Sequence, residues 1–267
     1  MQRQPAVAGQ FYPGNAEQLR LELMQLIPES AEKKQVFGII APHAGYMYSG
    51  GIAGKVYSII KIPATVMILG PNHHGTGDAA ALYPAGEWQT PLGPVAVNSR
   101  LNGLIDQHTP LVSYDTLAHR FEHSLEVHVP FLQVLQPDVT ISALCLSHGS
   151  YAALCEIGQG IAAAIREYGE DVLMVASSDM THYESAESAR RKDTLALDRV
   201  MAFDAEGLLR VCHSEKITMC GVVPATVMLE AAGALGASRA ELVAYGNSGD
   251  ITGDNRQVVG YAAVMVA

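Results

Sequence analysis

The chain has 267 residues, enough for one large domain with a sizeable core. Hydrophobic residues make up 49% and charged residues 16%, which excludes a disordered chain. The net charge is −10 and no basic run exceeds the pairs Lys33-Lys34 and Arg190-Arg191, which argues against nucleic-acid binding through phosphates.

In chain order, Leu19, Leu23 and Leu26 predict a helix over Glu17–Ile27. Short apolar runs predict strands at Val36–Ala41 and Thr65–Leu69. Ala79–Val97, rich in Pro and Gly and holding Trp88, reads as a β-rich excursion near a sheet edge. In HRFEHSLEVHVPF, residues 119–131, a helix would set His123 and Glu126 on one face, while Pro130 would start or bend it. A strand follows at Val139–Leu144. Tyr151–Tyr168 then reads as a helix on Leu154, Ile157, Ile161 and Ile165. The strand Val172–Ala176, helices Ala186–Phe203 and Val222–Leu235, and strands Glu241–Tyr245 and Val258–Val266 complete the series. GNSGDITGDN, residues 246–255, reads as a flexible loop. This alternation predicts a single layered α/β/α domain over 1–267, with helices on both faces of a central, largely parallel or mixed sheet.

No apolar stretch has the ~18–20 residues of a membrane span, and MQRQPAVAGQFYPGN has no continuous apolar run of a signal peptide. Cys145, Cys155, Cys212 and Cys220 form no C-x-x-C pair, so reduced thiols and a cytoplasmic location are expected.

Histidines follow the strands. FGIIAPHAGY presents His43, MILGPNHHG presents His73 and His74, ISALCLSHG presents His148, and LMVASSDMTHY presents Asp179 and His182. Loops leaving the carboxyl ends of parallel strands gather along one edge, so these residues are expected to converge on a shared polar site. Cys220 precedes a helix, where the local positive potential would favour its thiolate as a ligand or nucleophile; spacing equally allows a small buried hydrophobe. Two His with one anionic ligand suit a non-haem Fe(II) centre, and a His2Cys set also accepts Zn or Cu. His182 suits acid/base work, with Asp179 expected to orient it. GPNHHGTG lacks the lysine of a phosphate-binding loop, and neither H-E-x-x-H nor G-x-S-x-G occurs.

The segments IIAPHAGYMYSG, ILGPNHHG, EHSLEVHVPFL, VASSDMTHY and MCGVVPA together resemble the Memo family, whose bacterial members are called AmmeMemoRadiSam system protein B. The resemblance runs from AGQFYPGN to YAAVMV. It implies a fold like that of class III extradiol dioxygenases, which use non-haem Fe(II). It implies His43, His73 and Cys220 as metal ligands, and His182 as catalytic base with Asp179 nearby. Phe11 stands where a eukaryotic member has a cleft tryptophan; with His74 and His123 it is a candidate substrate-binding residue. The dioxygenases have a glutamate where Cys220 stands, so the resemblance implies a metal or redox site rather than a named substrate. The family name implies company with AMMECR1-like and radical SAM proteins. Three readings follow. The first is an iron-binding oxidoreductase acting on a small molecule or peptide. The second is a non-catalytic peptide- or protein-binding module built on the same cleft, and the third is a Zn-dependent hydrolase.

Overall fold

Twelve strands build the sheet of this computed structural model, which describes residues 1–267. They are β1 Gln2–Arg3, β2 Gly38–Ala41, β3 Thr65–Pro71, β4 Ala80–Leu82, β5 Glu87–Thr90, β6 Gly93–Val97, β7 Ser113–Tyr114, β8 Thr140–Leu146, β9 Val172–Ser177, β10 His182–Glu184, β11 Ala240–Asn247 and β12 Val258–Val266. The helices are α1 Ala16–Leu26, α2 Gly51–Ile59, α3 Ser99–His108, α4 Val129–Leu135, α5 Tyr151–Tyr168, α6 Ala186–Met201, α7 Ala205–Ser214, α8 Val222–Leu235 and α9 Gly249–Thr252.

The hydrogen-bonded order is β1-β5-β6-β8-β3-β9-β2-β12-β10, with β11 on the other side of β12, and β4 joining β7 to β8. From β6 to β2 every neighbour runs parallel; β5-β6, β4-β8 and the three pairings of β12 are antiparallel, while the short pairs β1-β5 and β4-β7 are parallel. The expected layered α/β architecture is therefore present, with a mixed sheet.

The central strands are apolar throughout because both of their faces are covered. In β3, Val66 and Ile68 belong to one buried cluster with Leu19, Leu23, Val56 and Phe131. Met67 and Leu69 belong to the opposite cluster, with Ile157, Ile161 and Leu229. The period of two thus splits one apolar run between two cores.

Helix α5 has the predicted bounds because both ends are marked. Ser150 accepts from the Ala153 N–H at its start, and Gly169 takes φ 75° at its end. Helices α2, α3 and α7 lie outside the sequence reading. Helix α2, preceded by a π turn over Tyr46–Gly50, contains two glycines and a valine, which local propensity disfavours. Packing against α1 decides there: a side chain at Gly54 would overlap the Leu26 carbonyl. Helix α3 begins on the Asn98 cap, whose side chain accepts from Leu101 N–H. Helix α7 is separate from α6 because Phe203 adopts φ 57° and Asp204 caps a new start.

Two expectations are corrected. Residues 119–125 form no helix, and Pro130 sits in the first turn of α4. His123 and Glu126 therefore share no helical face. Residues 246–255 are not a loose loop either. They end β11 and form α9, pinned by Asn247 N–H on the Asp250 carboxylate and Gly249 N–H on the Asn247 side chain.

Candidate metal centre

Strands β3, β9 and β2 lie side by side and parallel, so their carboxyl ends meet at one edge. His43 leaves β2, His73 leaves β3, and Asp179 leaves β9. Cys220 reaches the same place from the start of α8. Gly221 permits this approach, because a Cβ there would overlap the Ser177 carbonyl.

His43, His73 and His123 each offer one ring nitrogen, and these atoms lie within 4.8 Å of one another. The ring centroids are 5.2 Å apart for His43 and His73, 5.4 Å for His43 and His123, and 4.8 Å for His73 stacked on His123. Cys220 Sγ lies 3.3 Å from His43 Nε2. Ligand bonds of about 2.0–2.3 Å set neighbouring donors roughly 3.1–3.6 Å apart, so the thiol and the imidazole stand at the separation of two ligands of one ion. The donor set of imidazoles and a thiol fits a transition metal.

The protonation states suit that fit in part. Burial, with the neighbouring histidines, holds His43 well below the ordinary imidazole value, and burial holds His123 down at about 4. Both are therefore neutral near pH 7, as ligands must be. Cys220 departs from expectation. Burial and the Asp179 charge push its thiol up, against a hydrogen bond from the Asp179 backbone N–H at 3.2 Å. Desolvation outweighs the helix start in the metal-free protein.

Behind the histidines lies a support that the sequence reading did not identify. Glu122 is fully buried. Its Oε1 accepts from His73 Nδ1 at 2.9 Å and from Ser124 N–H at 2.9 Å, and its Oε2 from His73 N–H at 2.7 Å. Burial alone would raise its pKa, but the His73 hydrogen bond and charge and the Ser124 N–H hold it at about 2. His43 Nδ1 lies 2.7 Å from Ser177 Oγ, which lies 2.6 Å from the Ser124 carbonyl oxygen and 2.9 Å from His128 Nε2. His128 Nδ1 in turn lies 3.0 Å from the Tyr57 hydroxyl.

Other predicted residues fall around this cluster. His182 is half-buried. Its backbone N–H donates to Thr218 Oγ1 at 2.7 Å and its Nδ1–H to the Thr218 carbonyl at 3.0 Å. Asp179 does not orient His182 as expected. Its Oδ1 accepts from the His43 backbone N–H at 2.8 Å, and burial raises its carboxyl to about 7. Phe11 packs on the His123 ring with centroids 4.8 Å apart. His74 points away, with Nε2 bonded to the Phe121 carbonyl at 3.0 Å, and Asn72 rather than His74 caps the turn through Gly75 N–H. His148 is exposed and outside the cluster, so the strand-end pattern holds for three loops of the four.

A family model described as Memo-like protein matches residues 3–265. The chain belongs to the Memo family. A Memo family protein of Methanosarcina mazei is 42% identical over 268 residues, covering 99% of this chain and 98% of its own. One of Aquifex aeolicus is 42% identical over 266 residues, covering 98% of each. Among solved structures, the uncharacterized protein JW3007 of Escherichia coli K12 superposes with a TM-score of 0.50 at 15% identity. It covers 86% of this chain and 99% of that one, and shows a shared fold alone.

Proposed function

We propose that the protein binds a transition-metal ion, Fe(II) in the first instance, through His43, His73 and Cys220, with His123 as the further imidazole at the same centre. One observation carries this reading: three imidazole donors within 4.8 Å of one another, with a thiol 3.3 Å from His43 Nε2. The Glu122 carboxylate behind His73 supports it, because metal-binding histidines commonly direct their other N–H to such a group.

A bound Fe(II) would supply redox and oxygen-dependent chemistry, and Zn or Cu would suit the same donors. The chain's own groups have separable tasks in this reading. Cys220 supplies the anionic ligand. His182, with its Nδ1–H committed to Thr218, presents Nε2 as a proton acceptor, and burial keeps the ring neutral by lowering its pKa. Phe11 holds the His123 ring on its apolar side.

The test is anaerobic purification, metal quantification and oxygen uptake for wild type and His43→Ala. Near-stoichiometric iron in wild type and none in the variant is the expected result. Wild type that takes up no Fe(II), Zn or Cu would overturn it. The peptide-binding reading draws on Phe121, 60% exposed beside His74, and Tyr183, 74% exposed beside His182. Peptide capture that survives chelation would favour that alternative.

A further inference from the structure

Ser177 Oγ sits at the junction of three short contacts: 2.6 Å to the Ser124 carbonyl oxygen, 2.7 Å to His43 Nδ1 and 2.9 Å to His128 Nε2. A serine hydroxyl has one proton to give and two lone pairs to receive. A carbonyl oxygen only accepts. The single Ser177 proton therefore goes to the Ser124 carbonyl, since two bare oxygens 2.6 Å apart would repel. Both lone pairs of Ser177 Oγ must then face donors. His43 carries its proton on Nδ1, and His128 carries its proton on Nε2. With Nε2 protonated, His128 Nδ1 is an acceptor, and the Tyr57 hydroxyl 3.0 Å away donates to it. The chain of donors runs without conflict: Tyr57 to His128, His128 to Ser177, His43 to Ser177, and Ser177 to Ser124.

All four side chains are buried, Tyr57 and Ser177 completely, so no water competes for these groups. The consequence falls on the other ring nitrogen of His43. With Nδ1 protonated, Nε2 keeps its lone pair, and it faces the Cys220 thiol at 3.3 Å. Ser124 extends the same network to the second histidine. Its N–H donates to Glu122 Oε1, which also receives His73 Nδ1, and its hydroxyl donates to the Pro71 carbonyl at the end of β3. One backbone unit thus joins the support of His43 to that of His73.

We propose that Ser177, held by His128 and Tyr57, is a positioning residue that locks His43 in the Nδ1–H tautomer and keeps its Nε2 lone pair on the metal side. It makes no contact with the ion or with substrate. The proposal rests on the metal reading of the site for its purpose, but the lock itself exists in the metal-free protein and is measured there.

The experiment is nitrogen-15 NMR of the histidine rings in metal-free protein near pH 8, followed by Zn(II) titration against a chromophoric chelator. Wild type is expected to show His43 as the Nδ1–H tautomer and His128 as the Nε2–H tautomer. In Ser177→Ala the His43 ring loses its acceptor, the Nε2–H tautomer becomes populated, and Zn(II) affinity falls roughly 10–100-fold. Ser177→Thr keeps a hydroxyl and is expected to restore the wild-type tautomer. Tyr57→Phe removes the donor to His128 Nδ1 but leaves the Ser177 acceptor at Nε2, so His128 is expected to stay Nε2–H there. Wild-type His43 found as Nε2–H would overturn the proposal. So would Ser177→Ala with an unchanged His43 tautomer. Should Ser177→Ala fail to fold, the two wild-type tautomers decide the matter alone. Wild type that shows the expected tautomers yet binds no metal would contradict the metal reading and leave the lock standing.

Discussion

Glu122 and Glu126 lie four residues apart, both fully buried, and serve different regions. Glu126 pairs with Arg3 at 2.7 Å and also accepts from Ala6 N–H, Val7 N–H and the Tyr12 hydroxyl. Arg3 lies over the Trp88 ring at 4.1 Å and donates to the carbonyls of His119 and Glu122. This region latches the N-terminal segment to residues 119–128. Glu122 instead faces the histidine edge and accepts from His73 and Ser124. The same residue type, at the same burial, holds a chain segment in one place and a ring in the other. Both accept from backbone N–H groups; what differs is the basic side chain, a guanidinium for Glu126 and an imidazole for Glu122.

If the contrast is right, the two regions fail differently. Arg3→Met should give the largest loss of stability, about 3–5 kcal/mol by urea unfolding, because it leaves the Glu126 charge buried without its cation. The folded fraction should still bind metal. Equal loss of metal affinity and stability would merge the two regions into one. Glu122→Gln should do the reverse. Metal affinity should fall roughly 10–100-fold, while stability falls less than in Arg3→Met.

A pH series sharpens the division. Burial holds His128 at about 3 in the folded protein, against an ordinary value of 6.5. Between these values the unfolded chain binds a proton that the folded chain refuses. The contribution of this ring is therefore constant above pH 6.5 and is lost as pH falls toward about 3. It should give a slope of up to about 1.4 kcal/mol per pH unit in metal-free protein. His128→Gln should flatten that slope, as read by unfolding at several pH values; an unchanged slope would place the proton uptake elsewhere. The smallest effect is expected at His74, exposed and bonded only to the Phe121 carbonyl. His74→Ala should change stability by no more than about 0.5 kcal/mol and leave metal content unchanged.

The legible parts of the molecule were those with a local period. Apolar runs marked the central strands, and the three-to-four spacing marked α5. Histidines just past β2 and β3 were visible because strand ends punctuate the pattern, and adjacency of those strands did the rest. The supporting residues have no such signature. Ser177 ends an apolar strand, Tyr57 sits in a helix that propensity disfavours, and His128 lies in a 3-10 turn. Their hydrogen bonds span 49 to 134 residues of sequence, which no local pattern encodes. Asp179 was placed at the site but with the wrong partner, because spacing to His182 says nothing of the backbone N–H of His43.

The central claim is that His43, His73 and Cys220 share one metal ion. X-ray absorption at the metal edge tests it most directly, on protein loaded anaerobically with Fe(II), as wild type and Cys220→Ser. The account predicts one sulfur scatterer at about 2.3 Å beside imidazole nitrogens in wild type, and loss of the sulfur in the variant. A shell of nitrogen and oxygen alone in wild type would contradict it.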